Sequence, residues 1–568
     1  MRRSLWQLLS NVSLQAPVRA GVADEAPVDC ALQEKSLDVH QGRWIAWYVT
    51  VLLGGFVPLY LLTRSSILIG DGGHWVNMAR GGDPTQIHYG NPLHFLQIPL
   101  VRTVWGSLEA IGLPVPLESI FLGFSLVGTL AAIVFVGLIA AELLRTRVAA
   151  WLAAVLFGTS LHAWTQVNGE LYGLALGFVT AGLFFAVRGR VLVPAFLWAL
   201  SALSHLDFVL AAPVFTAVVW MAQPSASTTR EKLRSVVWLL GLAAASTALV
   251  LLLGSWALGM WFDGSSLVAY LWRPIEGTLG YKNDSPFEVL RAIKGLITAH
   301  TVAGHYWRDI LTGRGVTNAI FLLASTVGFF VLVLTGVLLA AAASRRRLVI
   351  FALVWLLPFH VLLNWAFAPT VEKYHAGALP GFTLLITAGL VHLASLLSHR
   401  GRYALCVGYV ALCAGLNFFG GVLPMQALGP RVVEAEREIR QLTDERAGRA
   451  VFVACDDPKA INRAGVTFLR LRSIWRGTIP EIQEAILSWT QARLREGEQP
   501  YLVDRWCFPE EWGTEWSKER FDLFFLGQSF RLVPTRITGI PVTEVVSTNP
   551  FSWRRGDIVR LEPLAGSQ

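Results

Sequence analysis

Repeated apolar runs dominate this chain. They are rich in Leu, Val, Ala and Phe and are separated by short polar segments. Most have the length of about 17–25 residues that an α-helix needs to cross the hydrocarbon core of a bilayer. Hydrophobic residues make up 54% of the sequence and charged residues only 15%, which a soluble monomer could not accommodate. The pattern predicts an all-α polytopic membrane protein with about eleven transmembrane helices, at about 44–62, 119–144, 148–164, 171–187, 191–203, 208–221, 236–261, 316–343, 348–367, 376–397 and 403–423.

Clusters of Arg and Lys support this count and set an orientation. With these helices, every short cationic loop falls on one side of the membrane, as the positive-inside rule requires of the cytoplasmic side. The external side then receives two large loops, 63–118 and 262–315, and the turns that carry Glu170 and His205. The net charge of +8 therefore reflects loop cations and not nucleic-acid binding. The cationic loops are 145–147, 188–190, 230–234, 345–347 and 400–402.

Both ends of the chain differ from the membrane domain, which we predict at 44–429. Residues 1–43 carry scattered cations and are predicted to be a cytoplasmic segment. Residues 430–568 have the composition of a soluble domain, and their pattern predicts a small α/β domain. An odd number of spans places this domain on the side opposite the cationic loops, which is the extracytoplasmic side. Cys455 and Cys507 are positioned to pair if that domain is extracytoplasmic. Its predicted strands and helix lie at 451–455, 480–496, 501–504 and 557–561.

Asp71 is the most informative polar residue, because it follows the first apolar run closely and is flanked by glycines. The same loop carries His74 and His88. A partly desolvated carboxylate at the edge of the bilayer is suited to act as a general base. The alternative is a solvated loop whose Gly, Pro and His residues only make turns.

Two further polar clusters lie at helix ends on the same side. Glu170, followed by Tyr172, is a candidate second catalytic acid, although a Glu at a helix N-terminus also favours the helix dipole. His205 and Asp207 lie two residues apart between short apolar segments. Such a pair commonly satisfies its own turn, and a metal site would need further ligands.

Three cationic or imidazole side chains are candidates for holding an anion at the membrane surface. Lys373 and His375 precede the predicted helix at 376–397, and Arg308 lies in the second external loop. Arg suits bidentate phosphate contacts. The alternative is that these residues are ordinary interfacial anchors. The sequence has no phosphate-binding Walker motif, no dinucleotide fingerprint, no zinc-protease motif and no nucleophile elbow.

The order of these features resembles the GT-C superfamily of membrane glycosyltransferases, in particular its protein O-mannosyltransferase-like branch. The resemblance covers about residues 44–400. The features that carry it, in chain order, are Asp71 in the first external loop, His88 through Pro92 before an amphipathic helix, Glu170-Leu171-Tyr172, the small-residue segment ending at His205, and Lys373-Tyr374 before Pro380.

The resemblance implies a GT-C-like fold and an inverting hexosyltransferase. Its donor would be a polyprenyl-phosphate-linked sugar, and its acceptor an extracytoplasmic hydroxyl group on a protein, lipid or glycan. Asp71 and Glu170 would be the catalytic residues. Some members of the superfamily use a divalent metal, so a metal is possible and no metal ligand is predicted. The residues implied to bind substrate or phosphate are His74, His88, Tyr172, His205, Arg308, Lys373 and His375.

Short loops and compact ends favour the inner membrane of a bacterium, with the active site facing outward. Two alternatives remain at this stage. A transporter or lipid-handling protein would carry charges or helix breaks deep inside paired spans, and only His360 and Asn364 are notable central polar groups in the later spans. A scaffold acting through 430–568 would tolerate loss of Asp71.

Overall fold

In the computed structural model, most of the predicted membrane domain and parts of the tail are described. Candidate residues Asp71, His74, His88, Arg308 and Lys373 lie outside the described residues. The structure describes residues 30–65, 68, 76, 79, 95–223, 227–257, 288–303, 319–360, 375–454, 459–464, 466–470, 479–503, 506–507, 521–537, 540–543 and 553–564.

Long apolar helices make up the described part of the membrane domain. A 3₁₀ helix at Leu206–Ala211 joins α7 to α8, and a π-helical segment at Phe418–Val422 joins α14 to α15. The helices are α1 (Cys30–Leu62), α2 (Gln97–Ala110), α3 (Leu117–Leu144), α4 (Arg147–Gly158), α5 (Leu161–Val167), α6 (Tyr172–Val187), α7 (Leu192–Ser204), α8 (Ala212–Ala222), α9 (Thr229–Ala257), α10 (Glu288–His300), α11 (Ala319–Ala342), α12 (Arg346–Pro358), α13 (Leu379–Leu396), α14 (His399–Asn417) and α15 (Leu423–Glu445).

The predicted all-α polytopic architecture is confirmed, and the count of eleven spans stays a prediction. Among the described residues, six helices are long and apolar enough to cross a membrane, or seven if the bent pair α4–α5 is one span. Four shorter apolar helices occupy several of the other predicted positions. The last span differs most from the prediction, because its helix continues past 423 through α15 to Glu445.

Close helix packing at α3 and α6 fixes the position of the residues at the start of α6. Gly128 on α3 faces Gly173 on α6, and a Cβ atom at Gly128 would collide with the backbone of Gly173 and Leu174. Small residues allow membrane helices to approach this closely. Tyr172, the first residue of α6, is therefore held against α3.

A small α/β domain follows α15 and begins with β1 (Ala450–Ala454). Its five-stranded sheet has the order β2-β1-β3-β9-β6, in which β1 pairs in parallel with β2 and β3, and β9 runs antiparallel to β3 and β6. Whether Cys455 pairs with Cys507 is not tested, because Cys455 lies outside the described residues. The other elements are α16 (Lys459–Ala464), β2 (Phe468–Arg470), α17 (Ile479–Arg495), β3 (Gln499–Leu502), β4 (Trp506–Cys507), β5 (Phe521–Asp522), β6 (Phe530–Pro534), β7 (Ile540–Thr543), β8 (Trp553–Gly556) and β9 (Val559–Pro563).

Candidate active site at the α5–α6 turn

The site begins at a break in the span formed by α4 and α5. The two helices meet at an angle of 61°, at the sequence Gly158-Thr159-Ser160. Ser160 caps α5, its Oγ accepting a hydrogen bond from the backbone N–H of Ala163 at 3.2 Å. The Tyr60 hydroxyl on α1 donates to the carbonyl oxygen of Gly158 at 2.6 Å. The break is therefore a fixed bend that directs α5 away from the line of α4.

The turn between α5 and α6 binds the chain that leaves α1. The side-chain Oδ1 of Asn168 accepts a hydrogen bond from the backbone N–H of Ser65 at 2.6 Å. The indole N–H of Trp164 donates to the carbonyl oxygen of Thr63 at 3.2 Å. The start of the first external loop is thus attached directly beside Glu170.

Glu170 itself is buried in this turn. Its residue is only 5% exposed, and its backbone oxygen accepts a hydrogen bond from the Ser125 hydroxyl on α3 at 3.1 Å. The turn also contains Gly169, whose φ of 142° lies in a region that residues with a side chain rarely adopt. The fold therefore places the predicted second acid inside the protein, next to Tyr172.

Tyr172, His205 and Asp207 form a compact cluster between α6 and the end of α7. The rings of Tyr172 and His205 stack with centroids 4.0 Å apart and an interplanar angle of 24°. The Nδ1 atom of His205 lies 3.4 Å from Oδ2 of Asp207, and the Tyr172 hydroxyl lies 3.4 Å from the same oxygen. The side chain of Asp207 is 15% exposed.

The charge state of Asp207 responds to this environment. Burial raises the pKa of its carboxyl to about 7, and the hydrogen bond from Tyr172 opposes part of that rise. Desolvation outweighs the hydrogen bond, so the group titrates near neutral pH. A carboxyl group with such a pKa can exchange protons with a neighbouring imidazole, which is a common property of functional sites.

The chain that follows the segment 66–94 is bound next to the same cluster. The backbone N–H of Leu96 donates to the carbonyl oxygen of Leu203 at 2.8 Å, two residues before His205. Phe95 and Leu203 also pack together in a small apolar cluster. Both described flanks of the segment 66–94 therefore lie against the candidate site, one at Asn168 and one at Leu203.

His375 is connected to this cluster through aromatic contacts. Phe208, next to Asp207, packs edge-on against Phe359 with ring centroids 5.6 Å apart. Phe359 fills the space beside Gly377, where a Cβ atom would collide with its ring. The ring of His375, which is fully buried, lies 6.1 Å from that of His360. The predicted anion-binding turn is thus continuous with the site.

Of the sequence-predicted site residues, the structure stacks Tyr172 on His205 and places Glu170 in the buried turn just before Tyr172. The turn that carries His375 is linked to Phe208 only indirectly, through Phe359. The other predicted residues, Asp71, His74, His88, Arg308 and Lys373, lie outside the described residues. No group of three potential metal ligands occurs in the described ranges, so His205 and Asp207 gain no third ligand there.

Sequence reasoning considered Asp207 as a turn residue or as part of an incomplete metal site, and it overlooked His162 and Gln166. Both of these side chains are fully buried on α5, and the ring of His162 lies 6.4 Å from that of Tyr172. The signal that was available is a pair of polar residues four apart in an otherwise apolar stretch. Such a pair lies on one face of a helix.

No protein-family model and no curated protein sequence matches this chain. Among solved structures, it is similar to ArnT from Cupriavidus metallidurans in the apo state, with a TM-score of 0.50, 12% identity and coverage of 91% of this chain and 98% of that chain. ArnT bound to undecaprenyl phosphate matches with a TM-score of 0.44, 12% identity and the same coverage. The arabinofuranosyltransferase AftD from Mycobacteria matches with a TM-score of 0.45 and 16% identity, over 92% of this chain and 40% of that chain.

At 12% identity the similarity to apo ArnT shows the fold alone. This chain therefore shares the polytopic helical fold of apo ArnT. The predicted polytopic helical architecture is confirmed, and membership of the GT-C superfamily stays a prediction. The closer resemblance to the O-mannosyltransferase-like branch stays a prediction.

Proposed function

We propose that this protein is an integral-membrane glycosyltransferase that moves a sugar from a polyprenyl-phosphate donor to an extracytoplasmic hydroxyl group. The reaction would take place at the Glu170–Tyr172–His205 cluster. The shared fold with ArnT supports the class of enzyme. The positive-inside pattern favours a site and a tail domain outside the membrane, and the short loops favour the inner membrane of a bacterium.

One observation carries the proposal: the two flanks of the segment that bears Asp71 are hydrogen-bonded two positions before Glu170 and two positions before His205. Ser65 is bound at Asn168, and Leu96 is bound at Leu203. Asp71 lies six positions after Ser65, and six residues of extended chain span at most about 20 Å. A chain of this length allows Asp71 to approach Glu170 and Tyr172, which are about 100 positions away in the sequence.

In the proposed reaction, Asp71 accepts the proton of the acceptor hydroxyl as that oxygen attacks the anomeric carbon. A new bond forms between the acceptor oxygen and the anomeric carbon. The bond to the phosphate oxygen breaks with its electron pair leaving on the phosphate, and the attack from the opposite face inverts the carbon. Glu170 is the proposed second acid. Charge on the departing phosphate would be stabilised by Lys373, His375 and Arg308.

The test is release of free polyprenyl phosphate by the purified full chain in nanodiscs, with a panel of undecaprenyl-phosphate sugars and candidate acceptors. Asp71→Asn keeps the shape of the side chain and removes the base. We expect turnover to fall by about 10²-fold or more. Asp444→Asn, a change at an exposed position on α15, is the matched control and should keep wild-type turnover. Equal turnover by the Asp71→Asn variant and the wild type would overturn the assignment of the base.

A lipid-handling protein without transfer chemistry is the second candidate, because the fixed 61° break between α4 and α5 is also typical of substrate sites in transporters. It predicts binding of undecaprenyl phosphate without release from any sugar-linked donor. The same panel separates the two functions, since transfer requires turnover and lipid handling does not.

A further inference from the structure

The short helix α5 has an unusual polar face. His162 and Gln166 lie four residues apart and therefore on the same side of the helix. Both are fully buried. Neither ring nitrogen of His162, and neither polar atom of the Gln166 amide, has a hydrogen-bond partner among the described residues.

These four atoms are expensive to bury without partners. Each unsatisfied buried polar group costs about 1–3 kcal/mol, and native proteins keep few of them. An apolar residue such as Leu or Phe would fill either position without that cost, as in the neighbouring Leu161 and Val167. The arrangement therefore points to a polar partner that is not part of the described chain.

The position of α5 shows where that partner lies. Two side chains from other helices hold the bend before α5. The Tyr60 hydroxyl donates to the carbonyl oxygen of Gly158, and Nδ2 of Asn417 donates to that of Thr159 at 2.8 Å. The bent helix presents the His162 ring to the edge of the Tyr172 ring, at an angle of 64° between the ring planes. Tyr172 stacks in turn on His205. His162 thus lies against the candidate site, and Gln166 lies on the same face of α5.

The chemistry of the two side chains identifies the kind of partner. A neutral imidazole and a primary amide each offer both a donor and an acceptor. The phosphodiester of a sugar-linked lipid only accepts hydrogen bonds, so it would leave the carbonyl oxygen of Gln166 and the unprotonated ring nitrogen of His162 without a donor. A sugar hydroxyl both donates and accepts, and it can satisfy either side chain.

We propose that His162 and Gln166 hydrogen-bond the hydroxyl groups of the donor sugar and set which sugar this protein accepts. This inference rests on the proposed function, because it assigns the sugar subsite of the same polyprenyl-phosphate donor. A buried site built to hydrogen-bond a hydroxyl discriminates strongly against ligands that lack it, because its own polar groups are then left unpaired.

The experiment compares two affinities in nanodiscs containing the full chain: that for free undecaprenyl phosphate, and that for undecaprenyl phosphates linked to a panel of hexoses and pentoses. The variants are Gln166→Leu and the double variant His162→Phe/Gln166→Leu, which roughly keep the volume of each side chain. We expect the preference for the best sugar-linked lipid over the free lipid to fall by about 10-fold or more. The affinity for the free lipid should not change.

Thr180→Val is the matched control, since Thr180 is also fully buried but donates to the carbonyl oxygen of Leu176 in its own helix α6. It should keep the wild-type preference. Thermal unfolding accompanies each binding measurement. Removing buried unpaired polar groups should leave the α5 variants at least as stable as the wild type, so that a loss of sugar preference does not reflect misfolding.

Three results are decisive. Loss of the sugar preference with retained free-lipid binding and stability supports the assignment. An unchanged preference in the double variant overturns it and shows that the two side chains serve the packing or hydration of α5. If the wild type binds neither free nor sugar-linked undecaprenyl phosphate, the proposed function fails as well, and the inference falls with it.

Discussion

Two buried histidine–tyrosine pairs in this protein look alike and have different surroundings. Tyr172 stacks on His205 with ring centroids 4.0 Å apart, and His300 stacks on Tyr409 with centroids 6.2 Å apart. Both histidines are almost completely buried, at 3% and 1% exposure. The first pair lies where α6 meets the end of α7, and the second lies where α10 packs on α14.

The partners of the two imidazoles separate the pairs. The Nδ1 atom of His205 accepts a hydrogen bond from the backbone N–H of Asp207 at 3.4 Å and also lies 3.4 Å from the carboxylate of that residue. The Nε2 atom of His300 lies 3.3 Å from the Tyr409 hydroxyl and 3.8 Å from the Cys413 sulfur. Burial lowers the pKa of His300 to about 4, so this imidazole is neutral at pH 7. The first pair can change its charge near neutral pH through Asp207, and the second pair cannot.

The backbone around the second pair is also held more completely. Asn417 accepts a hydrogen bond from the backbone N–H of Val302 at 2.7 Å and donates to the carbonyl oxygens of His300 and Thr159 at 3.0 and 2.8 Å. One side chain thus joins α14, the end of α10 and the bend before α5. The comparison teaches that an ionisable partner, and not the His–Tyr pair itself, distinguishes the candidate site from a structural lock.

Asn417→Asp should have the largest effect on stability, because Asn417 joins α14, the end of α10 and the bend before α5. The substitution keeps an acceptor for Val302 but directs a carboxylate oxygen at the carbonyl oxygens of Thr159 and His300. An uncompensated buried charge costs about 3–5 kcal/mol, so the thermal unfolding temperature should fall sharply. Asn417→Leu loses the hydrogen bonds without adding charge, so its unfolding temperature should fall less. A carboxylate variant as stable as the wild type would show that Asn417 does not join these elements.

Replacing the histidine of each pair by Leu tests the comparison directly. His205→Leu should lower turnover of a sugar-linked polyprenyl phosphate by about 10²-fold, equivalent to about 2.7 kcal/mol in the barrier, with little change in unfolding temperature. His300→Leu should lower the unfolding temperature while turnover per folded molecule stays within a few-fold of wild type. The assignment fails if His300→Leu is the more damaging to turnover at equal stability.

Much of the fold followed from the sequence, because a helix in a bilayer needs an uninterrupted apolar length. The run at 119–144 therefore matched α3 closely. The run at 148–164 was predicted as one span, yet the chain bends at Gly158-Thr159-Ser160 because hydrogen bonds from Tyr60 and Asn417 hold it there. Those partners are distant in sequence, and no local pattern reveals them.

The end of the last span shows a second limit. Apolar composition ends near 423, and hydropathy places the span boundary there. The backbone continues as a helix because the following residues, although polar, retain helical hydrogen bonding through α15 to Glu445. The position where a helix leaves the membrane and the position where the helix ends need not coincide. Hydropathy indicates only the first of these two positions.

The candidate site could be predicted only in part from the sequence. Glu170, Tyr172 and His205 were selected through their order along the chain, and the structure shows that Tyr172, two positions after the buried Glu170, stacks on His205. The contact of Tyr172 with Asp207 spans 35 positions and depends on how α6 packs against α7. Polar residues inside an apolar run, such as His162 and Gln166, were the overlooked signal.

Asp207→Asn should have the smallest effect of these variants and the most specific one. In the wild type, ionised Asp207 orients His205, so turnover should rise as pH increases through about 7, the pKa of this buried carboxyl. The Asn variant should lose about 10-fold in turnover at pH 8, consistent with loss of a charge-assisted hydrogen bond, and should lack the rise near pH 7.

Stability should change in the opposite direction, because the pKa of Asp207 is raised in the folded protein from its usual value of 3.8. Folding then takes up a proton, and the stability of the wild type falls as pH increases from about 4 to about 7. Asp207→Asn removes this penalty, so its advantage in unfolding temperature over the wild type should grow from pH 5 to pH 8. Asp444→Asn should show neither effect. A variant that keeps the wild-type pH profile of turnover would show that Asp207, like the partners of His300, is structural, and the distinction between the two pairs would no longer hold.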